Sequence, residues 1–158
     1  MNYDIRPVSK DEYPILEKFL YEAIYIPEGT APPPRDIVSR PELQVYVRDF
    51  GSRAADLALC ATVDGKIVGA VWGRIMDDYG HINNDIPSLA ISLYKKFRGC
   101  GIGTALMREI ILAYRKKGYK KLSLSVQKDN YAVKMYKNIG FETVSENDEE
   151  SIMLYKGK

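Results

Sequence analysis

From Leu122 to Gln127 apolar and polar residues alternate strictly, Leu122, Leu124 and Val126 against Ser123, Ser125 and Gln127. A period of two predicts a strand with one set on each face. Just upstream the period changes. Ile102, Leu106, Ile110 and Ala113 recur at helical spacing, with Arg108, Glu109, Arg115 and Lys116 over much of the remaining surface. This predicts an amphipathic helix from Ile102 to Lys117, stopped at Gly118.

The same reading extends along the chain. Tyr3 to Val8 predicts a short strand, and Lys10 to Ile24 a helix with Ile15, Leu16, Phe19, Leu20 and Ile24 at helical spacing. Ser9 and Glu12 have the spacing of a capping box, and Pro14 lies near enough to the start to be tolerated. Asp56 to Val63 and Lys66 to Met76 predict two strands joined by Asp64-Gly65, a hairpin turn. Leu89, Ile91 and Leu93 alternate with Ala90 and Ser92, giving another strand. Tyr131 to Ile139 predicts a second late helix ending at Gly140, and two closing strands follow, Phe141 to Ser145 and Ser151 to Lys156. The stretch Pro27 to Pro41 is irregular and holds Pro32-Pro33-Pro34, which favours extended backbone. A surface connection and a substrate-covering loop both fit it. A short helix is expected from Pro41 at its first position to about Phe50, ending at Gly51.

The length of 158 residues suits one domain spanning 1–158. Hydrophobic residues make up 46% and charged residues 28%, the balance of a soluble globular protein. The net charge of +2 is too small to argue for nucleic acid. No apolar run approaches the roughly 20 residues a membrane span needs. The N-terminus shows no signal-peptide pattern, and Cys60 and Cys100 form no Cys-x-x-Cys motif. A cytoplasmic location with reduced thiols is therefore expected.

Candidate chemistry concentrates in two stretches. Phe97-Arg98-Gly99-Cys100-Gly101-Ile102-Gly103-Thr104 lies between a predicted strand and a predicted helix. Glycines let a ligand approach the backbone, and the free N–H groups of the helix start face it with partial positive charge. Such a loop suits a phosphate or pyrophosphate, and Arg98 could add a cation. The loop lacks the lysine of a Walker A motif and the spacing of G-x-G-x-x-G. His81 is the only histidine and lies beside Gly80 and Asn83-Asn84, so an exposed turn is expected for it. A catalytic triad, a Cys-His pair or a His/Cys metal site would each have to use it, and no motif context for them is present. The second stretch runs from Ser125 to Phe141. It puts Asn130 at a helix start, as an N-cap candidate, and Tyr136 later on that helix, as a core residue whose hydroxyl wants a partner.

Together these stretches resemble the GNAT superfamily of N-acetyltransferases. Arg98, Gly101 and Gly103 fit that family's Q/R-x-x-G-x-G/A loop. Asn130, Ala132, Tyr136, Gly140 and Phe141 fit the pattern of its late helix, and the element order agrees over nearly the whole chain. The resemblance implies a mixed α/β fold of the α+β type. Its central, twisted, mostly antiparallel sheet of about seven strands is flanked by helices, with a V-shaped cleft between the fourth and fifth strands. It implies acetyl-CoA as cosubstrate, no metal, and direct acetyl transfer to an amine of a small molecule or peptide. The N–H groups of Gly99, Cys100, Gly101, Ile102, Gly103 and Thr104 would hold the pyrophosphate. The backbone at Ile91 and Leu93 would pair with the pantetheine arm, and Asn130 would contact it. Tyr136 would give a proton or hydrogen bond to the departing thiolate. Dimers are common in the resembling family.

Two departures matter. Cys100 stands where such loops are commonly basic, and Ser88-Leu89 stands where close-looking relatives often begin the strand with Glu. If that Glu takes the amine proton, this chain needs another group or water; Asp85, Glu22, Asp77 and Asp78 are candidate groups, and a solvated surface carboxylate is the plainer reading of each. With no strong base evident, an α-amine of pKa about 7.7–8.0 is an easier acceptor than a lysine-type amine of about 10.4, by several hundredfold in neutral fraction. Tyr21, Tyr25, Trp72 and Tyr79 are candidate pocket residues. The leading reading is an N-acetyltransferase; the alternative is a non-catalytic acyl-CoA-binding or sensing domain of the same fold.

Overall fold

The computed structural model describes residues 2–78 and 81–157. Seven strands form one open sheet: β1 (Asp4–Pro7), β2 (Leu57–Val63), β3 (Lys66–Arg74), β4 (Ser88–Leu93), β5 (Leu122–Gln127), β6 (Glu142–Glu146) and β7 (Glu150–Tyr155). Their spatial order is β1-β2-β3-β4-β5-β7-β6. Every pairing is antiparallel except β4 with β5, so the expected mixed, mostly antiparallel sheet is observed. Helices α1 (Ile15–Glu22) and α2 (Pro41–Gln44) lie on one face, over a core that includes Leu16, Phe19, Cys60 and Trp72. Helices α3 (Ile102–Lys116) and α4 (Ala132–Ile139) lie on the other, over Leu59, Val71, Leu106, Ile110, Leu124 and Met153.

Local rules account for most element bounds. Asp64 and Gly65 both have positive φ (51° and 78°), the pair of left-handed residues a two-residue hairpin turn requires. A register shift between Ala61 and Thr62 skips Val68 on β3, and this bulge lets Val68 and Val71 serve the same core. Gly73 is a matter of space, since a Cβ there would lie 2.6 Å from the Tyr114 hydroxyl. That hydroxyl donates to Ala55 O, just before β2, at 2.8 Å.

The expected helix Lys10 to Ile24 is two pieces, a 3-10 turn at Lys10–Glu12 and then α1. Pro14 has no N–H to give to Lys10 O, so the ladder breaks there. The capping box is present. The Ser9 N–H donates to Glu12 Oε1 at 2.9 Å, and Arg6 holds the same carboxylate at 2.8 and 2.9 Å. α2 begins with Pro41 at its first position but spans only Pro41–Gln44, and turns carry the chain on to Gly51.

The segment from Val45 to Asp56 is held by one buried ion pair. Arg74, at the end of β3, donates from Nε to Asp56 Oδ1 at 3.0 Å and from Nη2 to Asp56 Oδ2 at 2.9 Å. Its Nη1 reaches Val45 O at 3.2 Å and Arg48 O at 2.7 Å, and the guanidinium lies over the Phe50 ring. Asp56 Oδ2 also accepts the N–H groups of Gly51 and Arg53. Two residues back along β3, Trp72 Nε1 donates to Tyr46 O at 3.1 Å.

Both outer edges of the sheet are short. β1 carries Pro7, and β6 is exposed at every residue, with Glu at each end and a bulge between Thr143 and Ser145.

Arg74 and Asp56 side chains are both fully buried. Arg74→Met therefore strands a buried carboxylate and should cost about 3–5 kcal/mol in urea unfolding. A loss below about 1 kcal/mol would show that the pair is not what holds the 45–56 segment.

Candidate active site

β4 and β5 pair at one position only, Ser88 with Ser123. The Ser123 N–H donates to Pro87 O at 3.0 Å, and the two serine hydroxyls lie 3.2 Å apart in the interior. Beyond this vertex the strands part. β4 stays on β3, with Ile91 opposite Val71 and Leu93 opposite Gly69; β5 stays on β7, with Gln127 opposite Glu150. The facing edges of Leu89 to Leu93 and Leu124 to Gln127 thus lack ladder partners in the middle of a sheet, where unpaired backbone groups are costly unless something reaches them.

A cavity of about 460 Å³ occupies this gap. Leu89 and Ile91 of β4, Leu124 and Val126 of β5, and Met107 of α3 form its apolar walls. Ile24 and Tyr25, past the end of α1, and Leu43 and Tyr46, at α2, roof it. The Pro27–Pro41 stretch contributes no described lining residue; it lies against α1, where the Tyr21 hydroxyl donates to Pro33 O. Its two flanks do the covering that the sequence left open for the loop itself.

Four carboxylates line the same cavity: Glu42, Asp77, Asp78 and Glu150. Asp78 accepts the Tyr46 hydroxyl on Oδ2 and the Ser88 hydroxyl on Oδ1, each at 3.0 Å, which ties the roof to the vertex. Burial, then the charge of Asp78, pushes the Tyr46 phenol well above its usual range. Glu150 accepts Gln127 Nε2 at 3.1 Å on Oε1. Burial, then the neighbouring Glu149, raises the Glu150 carboxyl above its usual value.

The glycine loop stands at the far end of β4. Gly99 and Gly101 have φ of 75° and 86°, and a Cβ built at either meets nothing within 4 Å. The loop needs glycine for its backbone, and its surface is open. The first α3 bond found is Ala105 N–H to Gly101 O at 3.2 Å, so Ile102, Gly103 and Thr104 begin the helix with free N–H groups. Gly103 differs, since a Cβ there would make ordinary contact with Leu93 Cδ1 at 3.4 Å and Met135 Sδ at 3.7 Å. Arg98 turns away from the loop. Its Nε donates to Leu93 O at 2.9 Å and its Nη2 to Glu22 O at 3.1 Å, with the Glu22 carboxylate at 3.6 Å. It ties the end of α1 to the end of β4. Cys100 is exposed on the loop, outside the cavity.

Asn130 and Tyr136 come from the β5–α4 turn and α4, and both line the cavity. Asn130 Oδ1 accepts the Ala132 N–H at 2.9 Å, the capping role expected of it. Tyr136 is 7% exposed and packs against Phe141. No described residue bonds its hydroxyl, and burial pushes its phenol far above the usual range. A hydroxyl on a buried residue, with no partner among the described residues and at the wall of a cavity, is positioned for a ligand.

The sequence candidates thus separate. Ile91, Asn130, Tyr136, Asp77, Asp78 and Tyr25 meet at the cavity. Leu93 packs beneath the loop, Trp72 is core, Tyr21 faces Pro33, Glu22 holds Arg98, and Asp85 lines a different hollow beside Lys120. Tyr79 lies outside the described residues. His81 is half-buried rather than in an exposed turn, with Nδ1 shut from solvent and without a partner among the described residues. Tyr46, Glu42 and Glu150 were missed. Only the register of β7 on β5, and the anchoring of the 45–56 segment, bring them in.

Comparison with known proteins agrees with this architecture. The profile of the Acetyltransferase (GNAT) family matches residues 20–141. An acetyltransferase of Pectobacterium atrosepticum is 36% identical over 90 residues, 56% of this chain and 60% of that protein. One from Yersinia enterocolitica is 32% identical over 102 residues, 64% of each. The chain therefore spans about 60% of the length of the curated relatives it matches. The PaiA N-acetyltransferase of Thermoplasma acidophilum, solved in complex with coenzyme A, superposes with a TM-score of 0.71 at 21% identity, covering 99% of each chain. At that identity the likeness is one of fold. No helix among the described residues is long and apolar enough to cross a membrane.

The hydroxyls of the two buried tyrosines give a direct contrast. Tyr114→Phe removes the bond to Ala55 O and should cost about 1 kcal/mol, while Tyr136→Phe should stay within about 0.5 kcal/mol of the parent in urea unfolding. An equal or larger loss for Tyr136→Phe would mean its hydroxyl serves the fold.

Proposed function

This chain belongs to the acetyltransferase (GNAT) family, and on that footing we propose that it transfers an acetyl group from acetyl-CoA directly to an amine of a small molecule or peptide. The observation that carries the proposal is the unpaired notch between β4 and β5, with an anion-suited loop at one end and an unpartnered tyrosine in its wall. An extended arm with amide groups completes such a notch as an added strand would. Ile91 offers that edge, and Asn130 stands across from it. The N–H groups of Gly99 to Thr104, and the partial charge of α3 behind them, suit the pyrophosphate. Arg98 acts on this loop through its anchor to Leu93 and Glu22 rather than as a free cation.

Direct transfer needs two proton movements. The acceptor ammonium must lose a proton before its lone pair can attack the thioester carbonyl. Glu150 suits this step, because its raised pKa makes it a better proton acceptor than an ordinary glutamate. As the C–N bond forms and the C–S bond breaks, the nitrogen sheds its second proton and the leaving thiolate takes one up. Tyr136 serves the thiolate by hydrogen bonding. A reference phenol (about 10) giving its proton to a thiolate (about 8.5) is already uphill by roughly 2 kcal/mol, and burial of Tyr136 widens that gap. Neither Cys60 nor Cys100 lines the cavity, which supports transfer without an acyl-enzyme. A non-catalytic acyl-CoA sensor would use the same notch but has no need of the free Tyr136 hydroxyl or of Glu150.

Acetyl-CoA should raise the melting temperature of the protein through linkage. Gly101→Asp, which adds a side chain at φ 86° and a negative charge, should abolish that rise. An undiminished rise in the folded variant would move the pyrophosphate elsewhere.

In pH–rate profiles, kcat/KM should fall on the acid side as Glu150 takes up its proton, at a pH above the ordinary glutamate range near about 4.3. Glu150→Gln should lower the rate and lose that limb, and Tyr136→Phe should lower kcat while keeping it. The sign for stability is the opposite. A carboxyl whose folded pKa is raised favours the native state below its unfolded pKa and loses that advantage as pH rises through the folded value. Glu150→Gln should thus be no less stable than the parent at neutral pH. An unchanged acid limb in Glu150→Gln would assign the proton to another group.

A further inference from the structure

We propose that the acceptor end of the cavity is built for an amine that carries a second positive charge, a short aliphatic diamine being the simplest case. The inference rests on the acetyl-transfer reading above. Glu42, Asp77, Asp78 and Glu150 all line one cavity, and none of its described lining residues is Lys, Arg or His. This stands against a net charge of +2 for the chain, so the negative charge is local to the cavity. The four come from α2, the β3–β4 connection and the start of β7, so no single charge run explains them. Five carboxylates elsewhere pair with cations: Glu12 with Arg6, Asp56 with Arg74, Glu22 with Arg98, Glu146 with Lys128 and Glu142 with Lys156. Among the described residues, Glu42, Asp77 and Glu150 have no salt-bridge partner.

A second feature independently places a ligand here. Tyr136 is nine-tenths buried, has no hydrogen-bond partner among the described residues, and lines the same cavity. With the thioester end assigned to Tyr136, the acid-lined remainder is left for the acceptor. Glu42 and Asp77 are exposed at the rim, while Asp78 and Glu150 are half-buried.

The reaction itself selects for two charges. A monoamine becomes neutral when it reacts and then brings no cation to Glu42 or Asp77. A diamine keeps one ammonium paired throughout, while the other gives its proton to Glu150. The retained ammonium also lowers the pKa of its neighbour, which eases that deprotonation. The apolar walls from Leu89, Ile91, Leu124 and Val126 accept the methylenes between the two nitrogens. An acceptor bearing its own carboxylate would meet four like charges.

The test compares three acceptors of matched length: 1,4-diaminobutane, 4-amino-1-butanol and 4-aminobutyrate. Acetylation is read by thiol release and by product mass, and diamine binding to the CoA-loaded protein by calorimetry. The diamine should exceed the amino alcohol in kcat/KM by about tenfold or more, with the amino acid lowest. Raised salt should narrow the gap. The double variant Glu42→Gln, Asp77→Asn should narrow it severalfold, whatever its absolute rate. Equal rates for diamine and amino alcohol, or efficient acetylation of a peptide α-amine but not of the diamine, would overturn the charge inference and leave acetyl transfer standing. Calorimetric binding of the diamine with no turnover of any amine would sustain the cation site and sink the transfer reading. Neither binding nor turnover of the diamine would overturn the inference outright.

Discussion

A sheet interior normally leaves no backbone edge unpaired, and this one does. β4 is committed to β3 and β5 to β7, and the two pairs diverge from the single contact at Ser88 and Ser123. Everything about the candidate site follows from that divergence. It opens the cavity, presents two strand edges to it, and sets the glycine loop and α3 at the wide end. α4 then crosses beside β5 and brings Tyr136 to the wall. The alternative, a continuous ladder between β4 and β5, would satisfy more backbone groups and leave no room for a ligand.

A gap of this kind needs a frame, since cavity walls lose contacts on one side. The frame is built from long polar side chains that grip backbone carbonyls. Arg74 and Trp72 hold the Val45–Asp56 segment from β3, and Tyr114 and Lys117 reach Ala55 O and Ala54 O from α3. Arg98 does the same between α1 and β4. The roof residues Leu43 and Tyr46 are therefore suspended from the sheet by hydrogen bonds rather than by a helix of any length. Tyr46 closes the circuit by reaching Asp78, which in turn meets Ser88 at the vertex.

Much of this was legible in the sequence where local chemistry decides. Asp64-Gly65 gave the hairpin because two left-handed residues in a row are tolerated there. The alternation in β5 and the helical spacing in α3 gave their elements to within a residue or two. The glycine loop was readable because Gly99 and Gly101 need positive φ. What long-range register decides was not legible. Glu150 reaches the cavity only because β7 pairs with β5 so that Gln127 faces it. Arg98 looked like a phosphate cation because a sequence shows a charge and not where its long side chain turns. The break at Pro14 is a case where two rules competed, capping at Ser9 and helical spacing beyond, and the missing N–H decided.

The outer edges of the sheet deserve comparison with the inner one. β1 is short and carries Pro7, and β6 is bulged, exposed and acidic at both ends. Such edges are poor templates for another chain. The unpaired template lies inside the molecule, between β4 and β5, within the walls of the cavity. The edge left unpaired is thus enclosed by the cavity, while the edges that face outward are spoiled as strand templates by their own sequence.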